Sequence, residues 1–138
     1  MSLSAQERYD VVIYRLEKAQ TTLEQAKGVL NLRYWEIIAN RLYYAAYYAV
    51  SALLIANGYQ VKSNEGIVTL FGLHFVKEGI VPQKIGRFFN HLLELKLNGD
   101  YSDNYNLTEE DVLPLFEPTE QLIDQVSALA KEALNDNI

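Results

Sequence analysis

Between Ile37 and Val61 the only charged side chain is Arg41, and tyrosines follow it at 43, 44, 47 and 48. A guanidinium on so apolar a helix keeps its charge, so it requires a counter-charge, an aromatic face or a set of hydrogen-bond acceptors. At 100° per residue from Arg41, Tyr48 falls at about −20°, Tyr44 at about −60°, Ser51 at about −80°, Asn40 at about −100° and Tyr47 at about −120°. The polar side chains of this helix therefore share one sector. Such a set can grip a phosphate, with Arg41 supplying charge and a bidentate fork, tyrosine hydroxyls donating hydrogen bonds and rings able to stack on a base. It can equally be a semi-polar core held by hydroxyl bonds and cation–π contact, and the pattern alone leaves both readings open.

The opposite sector carries Ile38, Leu42, Ala46, Val50, Leu53 and Leu54, a plain aliphatic face, and Tyr43 falls with it. Ala45 and Ala52 flank Arg41 with almost no bulk, so another backbone can approach there. This predicts that the tyrosine sector faces a cleft or a second copy of the chain, a two-fold dimer being a natural solution for so uncharged a helix.

Helical periodicity dominates the elements that must position this strip. Val12, Leu16, Ala19, Leu23, Ala26 and Leu30 paint one face of a first helix, which breaks at Asn31 to Arg33. The Arg41 helix runs from about Tyr34 to Asn57 and stops at Gly58, and the two helices are expected to pack antiparallel. A third helix starts near Ser63, buries Val68, Phe71 and Phe75 and ends at Gly79 and Pro82. A fourth carries Ile85, Phe88, Phe89, Leu92 and Leu95 and is expected to close at Asn98-Gly99, with Lys96 favourably placed near its negative end. Asp100 to Asn106 read as a polar loop. Thr108 caps a last helix continued by Leu122, Val126, Leu129 and Ala133, and Pro114 and Pro118 predict a kink or restart in it. No strand pattern or repeat emerges. The expected fold is all-α, an antiparallel up-and-down bundle of about five helices in one domain over residues 1–138.

With 138 residues, 49% of them hydrophobic, the chain can bury a core without staples, and its lack of cysteine excludes a disulfide framework, a thiolate metal site and a cysteine nucleophile. The net charge of −6 is uneven: residues 1–100 hold 11 Lys and Arg against nine Asp and Glu, whereas residues 101–138 hold one against nine. The acidity therefore argues against a wide phosphate-binding surface but not against a local basic site. The polar start lacks a secretory signal, and the uncharged stretch Leu42 to Ala56 would span only about 22 Å as a helix against a hydrocarbon core of roughly 30 Å. A cytoplasmic chain with no membrane span is expected.

The stretch Asn40-Arg41-Leu42-Tyr43-Tyr44-Ala45-Ala46-Tyr47-Tyr48-Ala49-Val50 is followed by Phe75-Val76-Lys77-Glu78-Gly79 and Leu95-Lys96-Leu97-Asn98-Gly99-Asp100-Tyr101. This ordered set resembles the HEPN domain family. The resemblance implies a helical-bundle homodimer, often encoded with a small nucleotidyltransferase in toxin–antitoxin pairs, several members being metal-independent ribonucleases. In those ribonucleases an Arg is followed, after four to six intervening residues, by a His of the same helix. Arg41 matches the Arg, but Tyr48 stands where the His is expected. With an ordinary pKa near 10, a phenol is ionised in only about one part in a thousand at neutral pH, which makes Tyr48 a poor general base. The family segment around Lys96 usually carries Arg there; Lys keeps the charge and loses the fork.

Two functions follow. The first is a module that binds a nucleotide, RNA phosphate or a partner nucleotidyltransferase through Asn40, Arg41, Tyr44, Tyr47, Tyr48 and Ser51. The second is a metal-independent ribonuclease with Arg41 and Tyr48 as an atypical catalytic pair. Tyr47 or Tyr48 as an acceptor of nucleotidyl transfer is a third reading, and a bundle that merely dimerises through this face is a fourth. His74 and His91 read as packed or surface residues, and Asp100 as a partner for an Arg across the fold. The carboxylates and histidines lack the paired pattern of a di-metal bundle, so neither metal nor cofactor is expected.

Overall fold

The computed structural model describes residues 3–101 and 106–136, with the side chains of residues 100, 101 and 136 left aside. Helix α1 spans Ala5–Gly28. Its start is a capping box: Ser4 Oγ accepts from Glu7 N at 3.1 Å, and the Glu7 carboxylate accepts from Ser4 N at 2.9 Å. The Ser4 amide first, and its hydroxyl second, hold the Glu7 carboxyl below its ordinary pKa. The predicted break is a 3₁₀ turn, Leu30–Leu32, closed by Arg33 in the left-handed region at φ 59°. Helix α2 then runs over Trp35–Ala56. Arg15 meets Ser51, Lys18 meets Tyr48 and Gln25 meets Arg41, so the pairing runs in reverse order and the two helices are antiparallel.

Gly58 ends α2 as expected, at φ 89°, with Gly58 N donating to Ile55 O and Tyr59 N to Leu54 O, both at 3.0 Å. This double closure is a Schellman motif. Ser63 caps α3, Asn64–Phe71, by accepting from Gly66 N at 2.9 Å. The helix continues as a π-helical turn over Gly72–Val76, which the sequence pattern did not reveal, before Gly79 (φ 78°) ends it.

Helix α4, Gln83–Tyr101, runs through Asn98-Gly99 instead of closing there. Glycine permits a left-handed ending without imposing one, and here the helical backbone carries on. The polar loop expected after it falls largely on residues 102–105, outside the described ones. The last helix restarts as predicted: a single turn, α5 at Glu109–Val112, passes through a 3₁₀ turn with Pro114 into α6, Phe116–Asp136. The Asp111 carboxylate accepts from both the amide and the hydroxyl of Thr108, at 2.9 and 3.0 Å. The expected bundle of about five helical rods is the observed fold, and among the described residues no strand occurs.

The core is where the periodicities put it. Val12, Leu16, Ala19, Leu23 and Ala26 are buried along α1, and the six aliphatic residues of α2 are fully enclosed together with Tyr43. Helix α2 lies at the centre, in contact with α1, α3, α4 and α6, and every residue from 49 to 56 is buried. The lack of charge in this stretch thus has a cause inside one chain, since the helix is covered on all sides there. Among the described residues no helix is long and apolar enough to cross a membrane.

Candidate functional site

The half-buried polar groups of α2 are confined to Asn40, Arg41, Tyr44, Tyr47 and Tyr48, about two turns of the helix. Arg41 is fixed from two sides. Its Nε and Nη2 donate to Asn40 Oδ1 at 3.3 and 3.0 Å, and its Nη1 donates to Gln25 Oε1 of α1 at 3.3 Å. Three of the five guanidinium N–H groups are thereby used and two remain. No described carboxylate pairs with it. The Asp100 side chain, expected to pair with an arginine, lies outside the described ones.

The guanidinium carbon sits 5.4 Å from the centre of the Tyr44 ring, and Lys96 Nζ of α4 stands 5.6 Å from the same centre. The electron-rich face of an aromatic ring attracts cations, so the Tyr44 ring draws a side chain from each of two helices to one place. The expectation of Lys96 as a cation at the helix end is corrected here. Because α4 continues to Tyr101, Lys96 is not in its last turn, and its ammonium is carried across to the tyrosine strip.

From Tyr44 the rings continue in sequence. Tyr44–Tyr47 and Tyr47–Tyr48 are edge-to-face at 5.6 and 5.3 Å, and Lys18 Nζ lies 5.3 Å from the Tyr48 ring. These T-shaped contacts are favourable for aromatic pairs and hold the rings in place without side-chain hydrogen bonds. Tyr43 closes the strip from below, stacked on Phe89 at 6.0 Å and donating to Asn64 Oδ1 at 2.9 Å. Burial, seconded by Tyr44 and Tyr47, pushes the Tyr43 hydroxyl far above the ordinary phenol range. That ring is a structural floor.

Of the six residues singled out in the sequence, Asn40, Arg41, Tyr44, Tyr47 and Tyr48 stand together on one accessible strip. Ser51 does not reach it. Its side chain is fully buried, accepts from Arg15 Nη1 at 3.1 Å and donates to the Tyr48 carbonyl at 2.9 Å. Ala45 and Ala52, predicted to admit a neighbouring backbone, are fully buried within the single chain. His74 stacks on Tyr59 beyond the end of α2, with centroids 4.4 Å apart. Arg41 lies about 22 Å back along that helix. His91 is exposed on α4. Neither histidine is among the hydrogen-bond partners of Arg41, and among the described residues no cluster of three potential metal ligands forms.

Sequence reasoning left Lys18, Gln25 and Lys96 off the site, since each comes from another helix. Only Lys96 had a signal, the conspicuous cation within the third matching segment.

Residues 12–129 match the model of the HEPN domain. A UPF0332 protein of Thermotoga maritima is 32% identical over 126 residues, covering 91% of this chain and 96% of that protein. A protein of Methanocaldococcus jannaschii named "Putative toxin MJ0605" is 29% identical over 119 residues, covering 86% of this chain and 88% of its own length. The crystal structure of TT1696 from Thermus thermophilus superposes with a TM-score of 0.66 at 20% identity, over 88% of this chain and 97% of that one, a likeness of fold.

Proposed function

The chain belongs to the HEPN domain family, and on that premise we propose that it is a toxin-like HEPN module, homodimeric, that binds RNA phosphate or a nucleotide through Arg41, Tyr44 and Lys96. The observation that carries this reading is Arg41, paired with no described carboxylate, 5.4 Å from the centre of the Tyr44 ring and beside rings able to stack on a base. The toxin named among its relatives supplies the biological class. The partner implied by the family resemblance is a small nucleotidyltransferase that masks the same strip.

Binding is favoured over ribonuclease action because Tyr48 stands where an imidazole base is expected and Arg41 is bonded to Asn40 and Gln25 rather than to a histidine. Titration of a labelled single-stranded RNA in chelator, followed by anisotropy, tests the reading. Saturable, salt-sensitive binding is expected, weakened at least tenfold by Arg41→Ala at unchanged helicity; equal affinity of parent and variant would overturn it. Light scattering checks the dimer. Tyr48→His separates the alternative: a gain of RNA cleavage shows a catalytic frame that lacks only its base, and no gain favours binding.

A further inference from the structure

A second basic feature lies where α1 begins and α2 ends, separate from the tyrosine strip. Arg8 and Arg15 of α1 and Lys62 of the loop after α2 line one cleft of about 450 Å³, whose wall is completed by Ile55, Tyr59 and Val61. The size falls within the roughly 300–1,000 Å³ usual for small-molecule sites. No acidic residue lines it. Arg8 and Arg15 are half-buried and cannot discharge, and neither they nor Lys62 form an ion pair with any described side chain.

The cleft is also built rigidly. Arg15 spends one Nη1 N–H on the buried Ser51, which holds the guanidinium in place and leaves four of its five N–H groups for a ligand. The Schellman closure at Gly58 sets the direction of the loop, and the Tyr59 ring is held by its stack on His74. Cations held in place before a ligand arrives lose little entropy on binding it. Ser51 lies ten residues from Arg41, about 15 Å along α2, so one small ligand does not serve both places.

We propose that this cleft binds a compact polyphosphate anion, an inorganic or organic di- or triphosphate. Three cations around one concavity match a ligand carrying several negative charges, and the arginine fork matches adjacent phosphoryl oxygens. The proposal does not rest on the reading of Arg41. Calorimetric titration of the full chain in chelator tests it, with inorganic tripolyphosphate and ATP as the two probes. One-to-one saturable binding of tripolyphosphate is expected, weakened at least tenfold by Arg15→Gln and by the exposed Lys62→Gln. ATP binding tighter than that of tripolyphosphate and weakened by Arg15→Gln assigns the cleft to organic phosphates, and equal binding to the phosphate chain alone. Absence of saturable binding by both probes overturns the proposal. So does binding that survives in Arg15→Gln and Lys62→Gln, which would leave these cations a role at the negative end of the α2 dipole.

Discussion

The two faces of α2 are made of the same backbone and differ in how completely neighbouring helices cover them. Ile38, Leu42, Ala46, Val50, Leu53 and Leu54 are wholly enclosed, whereas Arg41, Tyr44, Tyr47 and Tyr48 are only half-covered and touch one another and the cations of α1 and α4. The first face stabilises by excluding water from hydrocarbon, an effect that scales with area and is indifferent to the atoms doing it. The second positions charge beside aromatic surface and adds little to folding. One helix thus carries the stability of the bundle and its chemistry on opposite sides, and substitutions are expected to separate them.

The sharpest separation comes from the aliphatic side. Leu42→Ala removes buried atoms from a fully enclosed position and is expected to cost about 2–5 kcal/mol in denaturant unfolding, while the fraction still folded binds RNA as the parent does. A loss of affinity without a loss of stability would break the division.

Tyr43→Phe is next, because this ring belongs to the enclosed side yet carries a hydroxyl. Loss of its bond to Asn64 is expected to cost about 1 kcal/mol at neutral pH. Its pKa is raised in the folded state, so the neutral form is the one folding favours. The stability linked to it is fully present below about pH 10 and is lost as pH climbs above the unfolded value. Tyr43→Phe therefore flattens the alkaline side of the stability profile, which thermal melts from pH 8 to 11 would record.

Tyr44→Leu keeps bulk on the open side but removes the ring that Arg41 and Lys96 both approach. A stability loss below about 1 kcal/mol is expected. RNA affinity should fall several-fold; if stability falls more than affinity, the strip is packing after all. The smallest effect belongs to the surface: Lys27 bridges α1 to α6 through Glu120 at 2.6 Å, and Lys27→Gln is expected to leave the melting midpoint unchanged within error.

Most of this division was legible in the sequence, because a helical wheel states which side chains share a direction. It placed all six aliphatic residues, Tyr43 and the Arg41 strip correctly. A wheel does not state what stands opposite. Ser51 shares the polar sector but is covered by α1 through Arg15, and Ala45 and Ala52 are buried within the chain rather than left to a second one. Lys96 was misplaced for a related reason, since Asn98-Gly99 allows a helix to end and tertiary context decided that α4 continues. The π turn at Gly72–Val76 adds one residue to a helical turn, a change with no signature in composition.

The reverse pairing of α1 and α2 bears on the order in which the molecule is completed. Arg41 and its partner Gln25 both lie in a hairpin finished by residue 56, built from contacts between near neighbours in the chain, the class that forms fastest. Lys96 is synthesised later, at roughly 5–20 residues per second a matter of seconds. The hairpin is therefore expected to place Arg41 at Tyr44 before α4 docks and brings the second charge there. Pulse-labelled hydrogen exchange during refolding should find the α1–α2 amides protected ahead of those of α4, which would make the two-cation strip a late acquisition of folding.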